Sequence, residues 1–213
     1  MTFKEIYTEV QDVTDDESSE SLLRIKRFIN RGQELLVSKL PPGALTGLIA
    51  KQTGTTTDDV NEYDVLPTDF VRPHAVVLTK DTTDYACRSI SIAQVATVTH
   101  SNNPTARKFG PYYYWYGTTL GFSPDIDDAY AYAIWYIKET SDLSVDSNIP
   151  IFPKDLHNLL VEYAVARYFE REQDGQASYH RELFNIGLAE AVNFYGQYNQ
   201  PTFISPPEVE SEV

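Results

Sequence analysis

The sequence predicts an α+β protein: a helical bundle, with helix two packed on a C-terminal antiparallel helix pair, an inserted antiparallel β subdomain, and an extended C-terminal tail. Three observations carry this prediction. Apolar residues recur at helical spacing before residue 40 and again between residues 156 and 195. Between those stretches, from Thr46 to Ile137, Thr, Val, Tyr and Ile predominate and turn clusters interrupt the chain. Beyond Gln197, prolines and glutamates exclude both a helix and a packed interior. The organisation expected is residues 1–45 for the N-terminal helices, 46–138 for the β subdomain, 139–197 for the helix hairpin and 198–213 for the tail.

Phe3, Ile6, Tyr7 and Val10 share one side of a short first helix over residues 3–12. It should stop near Thr14, which then reads as the N-cap of a second helix, with Glu17 three residues on completing a capping box. Asp15, Asp16, Glu17 and Glu20 crowd that first turn, where the helix dipole favours negative charge. The second helix runs to about residue 39, with Leu22, Ile25, Ile29 and Leu36 on one face and Phe28 and Leu35 beside them. Gly32 interrupts it, marking either a close helix contact or a weak spot that costs about 1 kcal/mol. Pro41 and Pro42 end it.

Strands are expected at Leu48–Gln52, Tyr63–Leu66, Ala75–Thr79, Tyr112–Tyr116, Thr118–Phe122 and Tyr130–Ile137. In the last, Tyr130, Tyr132, Ile134 and Tyr136 alternate with Ala131, Ala133, Trp135 and Ile137, so both faces are apolar and should be covered. The tyrosines pave a small sheet; the competing reading is a platform for stacking carbohydrate or bases. A polar loop over 138–152 then leads to Pro153, suited to a helix first turn. The third helix buries Leu156, Leu159, Leu160, Tyr163, Ala164, Arg167 and Tyr168, and Asp174-Gly175 stops it. The fourth, over 177–196, carries Phe184, Leu188, Ala191, Val192 and Tyr195 on one stripe. The tail that follows leaves Phe203 and Ile204 as apolar residues without an intrachain partner.

Composition excludes several functions. With 213 residues and a formal net charge of -14, the chain does not offer the clustered basic surface that grips phosphate. An acidic channel wall that lets a duplex slide past is compatible with this charge. A single cysteine, Cys87, rules out an intrachain disulfide and reads as a small core or interface residue. His74, His100, His157 and His180 are scattered without metal-ligand spacing, and no metal or other cofactor is expected. The run Ser123-Pro124-Asp125-Ile126-Asp127-Asp128 lacks the glycine and glutamate of an EF-hand and reads as a solvated turn. No nucleophile elbow, phosphate-binding loop or dinucleotide fingerprint occurs, so no catalytic residue is assigned and the chain is not read as an enzyme. The N-terminal segment lacks the basic start and apolar block of a signal peptide, and no apolar run approaches a membrane span; the expectation is a soluble protein made in the cytoplasm.

The order of these elements resembles the head-tail connector adaptor family of tailed bacteriophages, the head-completion proteins that dock beneath the portal. The stretches that carry the resemblance are TDDESSESLLRIKRFINRGQ, with Asn30-Arg31-Gly32; YAIWYIKETSDLSVDSNIPIFP; DLHNLLVEYAVARYFEREQDG; and the following YHRELFNIGLAEAVNFY. The resemblance implies a homo-oligomeric ring of about twelve copies held by heterologous contacts. It further implies portal and tail or neck proteins as partners, genomic DNA passing through the channel without sequence-specific binding, and a place in the virion neck. It also gives the tail a purpose, with Tyr198, Pro201, Phe203, Ile204 and Pro206 binding the portal. The competing readings are a tail terminator or stopper, both richer in β structure, and a carbohydrate-binding module built on the tyrosine-rich sheet.

Overall fold

The structure, a computed structural model, describes residues 1–197 except 59, 81, 100–111, 124, 125 and 127, and says nothing of the side chains of 96–99. Among the described residues the fold is α+β, with five α-helices and two four-stranded sheets. The chain divides into two units, one made of Met1–Leu45 and the chain from Leu143 on, the other of Thr46–Asp142.

The first unit holds four helices: α1 (Phe3–Thr14), α2 (Ser19–Lys39), α4 (His157–Glu172) and α5 (Gln176–Gln197). A capping box starts α1 at Thr2, whose hydroxyl accepts the Glu5 amide while the Glu5 carboxylate accepts the Thr2 amide. The expected cap at Thr14 is not made. Thr14 is the last residue of α1 and donates its hydroxyl back to the Val10 carbonyl at 2.9 Å, and Asp15 closes the helix in the left-handed conformation. The N-cap of α2 is Ser18, whose hydroxyl accepts the Ser21 amide at 3.2 Å, while Asp16 accepts the Ser18 amide at 2.9 Å. Two short helices therefore need a real break, and an aspartate that tolerates positive φ supplies it.

The centre of this unit is α4. Between His157 and Glu170 only Asn158 and Arg167 are exposed, because α1, α2 and α5 all pack on this one helix. Arg167, expected in the buried stripe, occupies the side left open and pairs with Glu170 at 2.6 Å. Ile25, Ile29 and Leu36 of α2 and Leu160, Ala164 and Val165 of α4 are sealed from solvent, while Leu22, Phe28 and Leu35 flank the seam half-buried. Gly32 lies in that seam: a Cβ there would sit 2.9 Å from Cδ1 of Tyr163 and 3.3 Å from Cδ2 of Leu160. It is a close helix contact. The turn after α4 is made by Gln173 in the left-handed conformation, and Gly175 is not at a positive φ. A 3-10 turn, Lys154–Leu156, begins after Pro153 and leads into α4.

The second unit is a two-sheet sandwich. One sheet has the order β1-β8-β3-β4, from β1 (Ile49–Thr55), β3 (Phe70–Lys80), β4 (Thr83–Ala86) and β8 (Ala131–Lys138). The other has the order β2-β7-β6-β5, from β2 (Glu62–Asp64), β5 (Arg88–Ser89), β6 (Tyr112–Tyr116) and β7 (Thr119–Ser123). Val76, Leu78, Tyr132 and Ile134 of the first sheet meet Tyr113, Leu120 and Phe122 of the second in one core. In the central β8 the burial alternates. Tyr132, Ile134 and Tyr136 face the core, whereas Trp135 on the other face stands toward solvent with Lys51 over its ring and Ile137 on that same face is sealed, so the second face is covered only at the end of the strand rather than along its length. Tyrosine rings lie across cross-strand glycines, Tyr132 over Gly54 and Tyr114 over Gly121, which explains why those strand positions lack a side chain.

The sheets are not wholly antiparallel, because β5 pairs with β6 in parallel. Parallel neighbours need a crossover, and the chain between them contains a helix, α3 (Ile92–Thr99), that the strand-like composition concealed. Pro73 sits in β3 where the pairing to β8 slips register on both sides of it, as expected for a residue with no amide to donate.

Candidate interaction surface

The tail residues Tyr198, Pro201, Phe203, Ile204 and Pro206 lie outside the described residues. Their point of departure is well defined. Tyr195, in the last turn of α5, donates its hydroxyl to the Asp155 carboxylate at 2.9 Å, beside the start of α4. Tyr168, near the far end of α4, donates to Asp16 at 2.6 Å, while Gly32 meets Leu160 and Tyr163. Hence α2 and α5 both run antiparallel to α4, and the tail leaves the bundle at the end where α2 finishes. At the opposite end, where α2 begins, the hydroxyl of Tyr168 and the Ser18 amide hold the Asp16 carboxyl down to about 2.

The outer side of α5 is not the polar face of an ordinary surface helix. Tyr179 is 60% exposed, Ile186 49% and Phe194 54%, and Val192 of the expected stripe also faces out, leaving Phe184 and Ala191 as that stripe's buried members. A helix apolar on both sides is one whose second side awaits a partner.

A second apolar display is the loop from Leu143 to Ile151, which is rigidly built. Asn30 of α2 clamps it through both side-chain atoms, accepting the Leu143 amide at 2.9 Å and donating to the Leu143 carbonyl at 3.2 Å. The side chain of Asn148 accepts the amides of Ser144 and Val145 at 2.9 and 2.8 Å. The free amides that open α1 are satisfied here as well, Phe3 donating to the Asn148 carbonyl at 2.7 Å and Lys4 to that of Asp146 at 3.1 Å. The loop so held exposes Val145 (58%) and Ile149 (63%). It belongs to the flank of the bundle occupied by α1, whereas α5 packs on α4.

The charge of α2 runs against that of the chain. It carries Arg24, Lys26, Arg27, Arg31 and Lys39 against Glu20 and Glu34, a net of +3 in a chain of net -14. Arg24 pairs with Glu20 and Lys26 reaches Asp146 at 3.4 Å. Arg27 and Arg31 are exposed.

The remaining polar groups serve structure. His157 is fully buried; its Nδ1 accepts from the Met1 amine at 2.8 Å and its Nε2 donates to the Phe152 carbonyl at 3.0 Å, and burial pushes its pKa below the usual imidazole value. His180 pairs with Glu162 at 2.7 Å and stacks on Phe169. Burial pushes the Cys87 thiol up to about 12, the wrong direction for a nucleophile. Among the described residues no group of three or more His, Cys, Asp and Glu side chains could hold a metal, and no helix is long and apolar enough to cross a membrane.

A family model, SU10 adaptor protein, matches residues 1–204. The chain belongs to the SU10 adaptor protein family. This is a phage head-tail adaptor family, so the adaptor is a structural component of a virion that associates with other phage head or tail proteins. A search of curated proteins finds no match. In the adaptor the tyrosine-rich strands point much of their aromatic surface inward, Tyr113, Tyr132 and Tyr136 being core residues, which removes most of the platform that a carbohydrate-binding reading requires. The run Asn30-Arg31-Gly32 acquires three separate meanings: a loop clamp, a solvent-facing charge and a close helix contact. Only Gly32 could have been suspected from the sequence; the clamp on Leu143 spans 113 residues of chain.

Proposed function

We propose that the adaptor is the head-completion subunit of the phage neck, forming a ring of about twelve copies beneath the portal by heterologous contacts. The ring continues the DNA channel, and the net charge of -14 suits a wall past which genomic DNA moves without sequence-specific binding. The observation that carries this reading is the pair of apolar displays on separate flanks of one helical unit, Val145 and Ile149 on the loop and Tyr179, Ile186 and Phe194 on α5. A heterologous ring contact needs two different patches that complement each other, whereas an isolated monomer gains nothing from exposing them. The tail provides the portal contact: Tyr198, Pro201, Phe203, Ile204 and Pro206 order on binding, with Phe203 and Ile204 as anchors. The sandwich unit faces the tail or neck proteins.

The test is co-sedimentation with portal rings, with electron microscopy of the mixture to count subunits. The full chain is expected to sediment with the portal, and a chain lacking residues 198–213 is expected to remain folded in the supernatant. Undiminished co-sedimentation of the shortened chain would remove the tail from this role.

A further inference from the structure

The basic face of α2 plays no part in the packing of the bundle. Arg27 and Arg31 stand one helical turn apart on that face, both exposed, and neither has an ion pair or hydrogen bond among the described residues. Arg24 precedes them, bound to Glu20, and Glu34 follows. In a chain of net charge -14, two uncommitted guanidinium groups on one helix face match an acidic partner.

The same chain contains a segment of the matching pattern. Residues 208–212 read EVESE, with Glu208, Glu210 and Glu212 at alternate positions. In extended backbone, alternate side chains project to one side about 6.6 Å apart. Arg27 and Arg31 are four helical residues apart, about 6 Å along the axis. Two successive glutamates therefore register on two arginines, and the third falls toward Arg24. Pro206 and Pro207 immediately precede this segment in the sequence, and the fixed φ of proline favours an extended approach.

Chain length permits the contact within one subunit. The tail departs at the end of the bundle where α2 finishes, and from Gln197 to Glu208 the chain reaches at most about 36–40 Å. Arg31 lies eight residues back from Lys39, about 12 Å along the helix. The remainder is slack for crossing from α5 to α2.

We infer that in the free subunit the acidic end of the tail, Glu208–Glu212, docks on Arg27 and Arg31 of its own α2. Exposed ion pairs are individually weak, but tethering raises the effective concentration enough to populate the docked state while leaving it reversible and sensitive to salt. The purpose of the contact rests on the reading of the tail as the portal ligand: it stows Phe203 and Ile204 until a portal ring competes for them. The contact itself is measured with no portal present, so it and the portal reading fail separately.

A nitroxide attached at Val213→Cys in a Cys87→Ser full-length chain reports the tail's position by broadening nearby amide signals in a nuclear magnetic resonance spectrum. At low salt the amides of residues 24–31 are expected to broaden. The broadening is expected to vanish in about 1 M NaCl, where the Debye length falls to roughly 3 Å, and in Arg27→Glu/Arg31→Glu, whose exposed positions leave the spectrum dispersed. It is expected to return when Glu208→Lys, Glu210→Lys and Glu212→Lys are added to that variant. Absence of broadening in the unsubstituted α2 at low salt overturns the inference, as does broadening that survives the double arginine reversal. Broadening seen when spin-labelled chains are mixed with isotope-labelled ones assigns the contact to a second copy and overturns docking within one subunit. Retention on duplex DNA that depends on Arg27 and Arg31, with α2 unbroadened, assigns the face to DNA and likewise overturns it.

Discussion

Replacing Gly32 by alanine separates two roles that a glycine can have inside a helix. At an open helical position the added methyl would stabilise the fold by about 0.8–1 kcal/mol, the ordinary difference in helix propensity. In the seam between α2 and α4 the methyl arrives 2.9 Å from Cδ1 of Tyr163 and 3.3 Å from Cδ2 of Leu160. Carbon atoms settle at about 3.5–4.0 Å, so the tyrosine ring must withdraw by about 0.6 Å or the helices must part. Overpacking of this kind costs roughly 1–3 kcal/mol, which exceeds the propensity gain and leaves a net loss of about 1 kcal/mol, or roughly 2–4 °C in Tm for a chain of this size. Gly196 is the internal reference, since a Cβ there meets nothing within 4 Å, and Gly196→Ala should be neutral or stabilising. Urea unfolding followed by circular dichroism measures both. In a Tyr163→Leu background the ring is gone, and Gly32→Ala should recover its helical gain, a coupling that only a direct contact produces. If Gly32→Ala stabilises the otherwise unaltered chain as much as Gly196→Ala does, the close approach of α2 to α4 is wrong.

Two further perturbations test the bundle. Leu160 is fully buried between α2 and α4, and Leu160→Ala should cost roughly 2–5 kcal/mol; an unchanged denaturation midpoint would contradict the packing of α4. Burial lowers the pKa of His157 below its unfolded value of about 6.5, so the unfolded chain takes up the proton first. Its contribution to stability is therefore complete above that pH and is lost as the pH falls beneath it; the urea midpoint should drop on acidification, and His157→Gln should flatten that dependence.

The periodic elements were legible because their signals are local. Spacing of apolar residues locates α1, α2, α4 and α5 to within a few residues, and β-branched and aromatic clusters locate β1, β3, β6, β7 and β8. The failures share a physical cause. Thr14 carries the right side chain for a cap, but Ser18 takes the role because Asp15 and Asp16 make the break between helices, and Asp16 is held by Tyr168 from 152 residues away. Arg167 falls on the apolar repeat of α4, yet three helices crowd that repeat from other directions and leave its own position open. Trp135 alternates correctly within β8, but whether a sheet face is covered depends on what lies over it, which alternation does not encode. The exposed apolar side of α5 was not legible, because in the sequence it looked like more of the same apolar stripe.

Taken alone, the order of residues determined which segments are helical or extended, where prolines stop them, and the acidic balance of the whole, since each depends on neighbours a few positions away. Tertiary structure decided the rest. It made α4 the helix that α1, α2 and α5 share, turned Asn30 into the clamp of a distant loop, set tyrosine rings over cross-strand glycines, and left Arg27 and Arg31 without partners among the described residues of an acidic protein. These depend on which groups meet across the fold, and contacts between residues far apart in the chain carry no periodic mark in the sequence that precedes them.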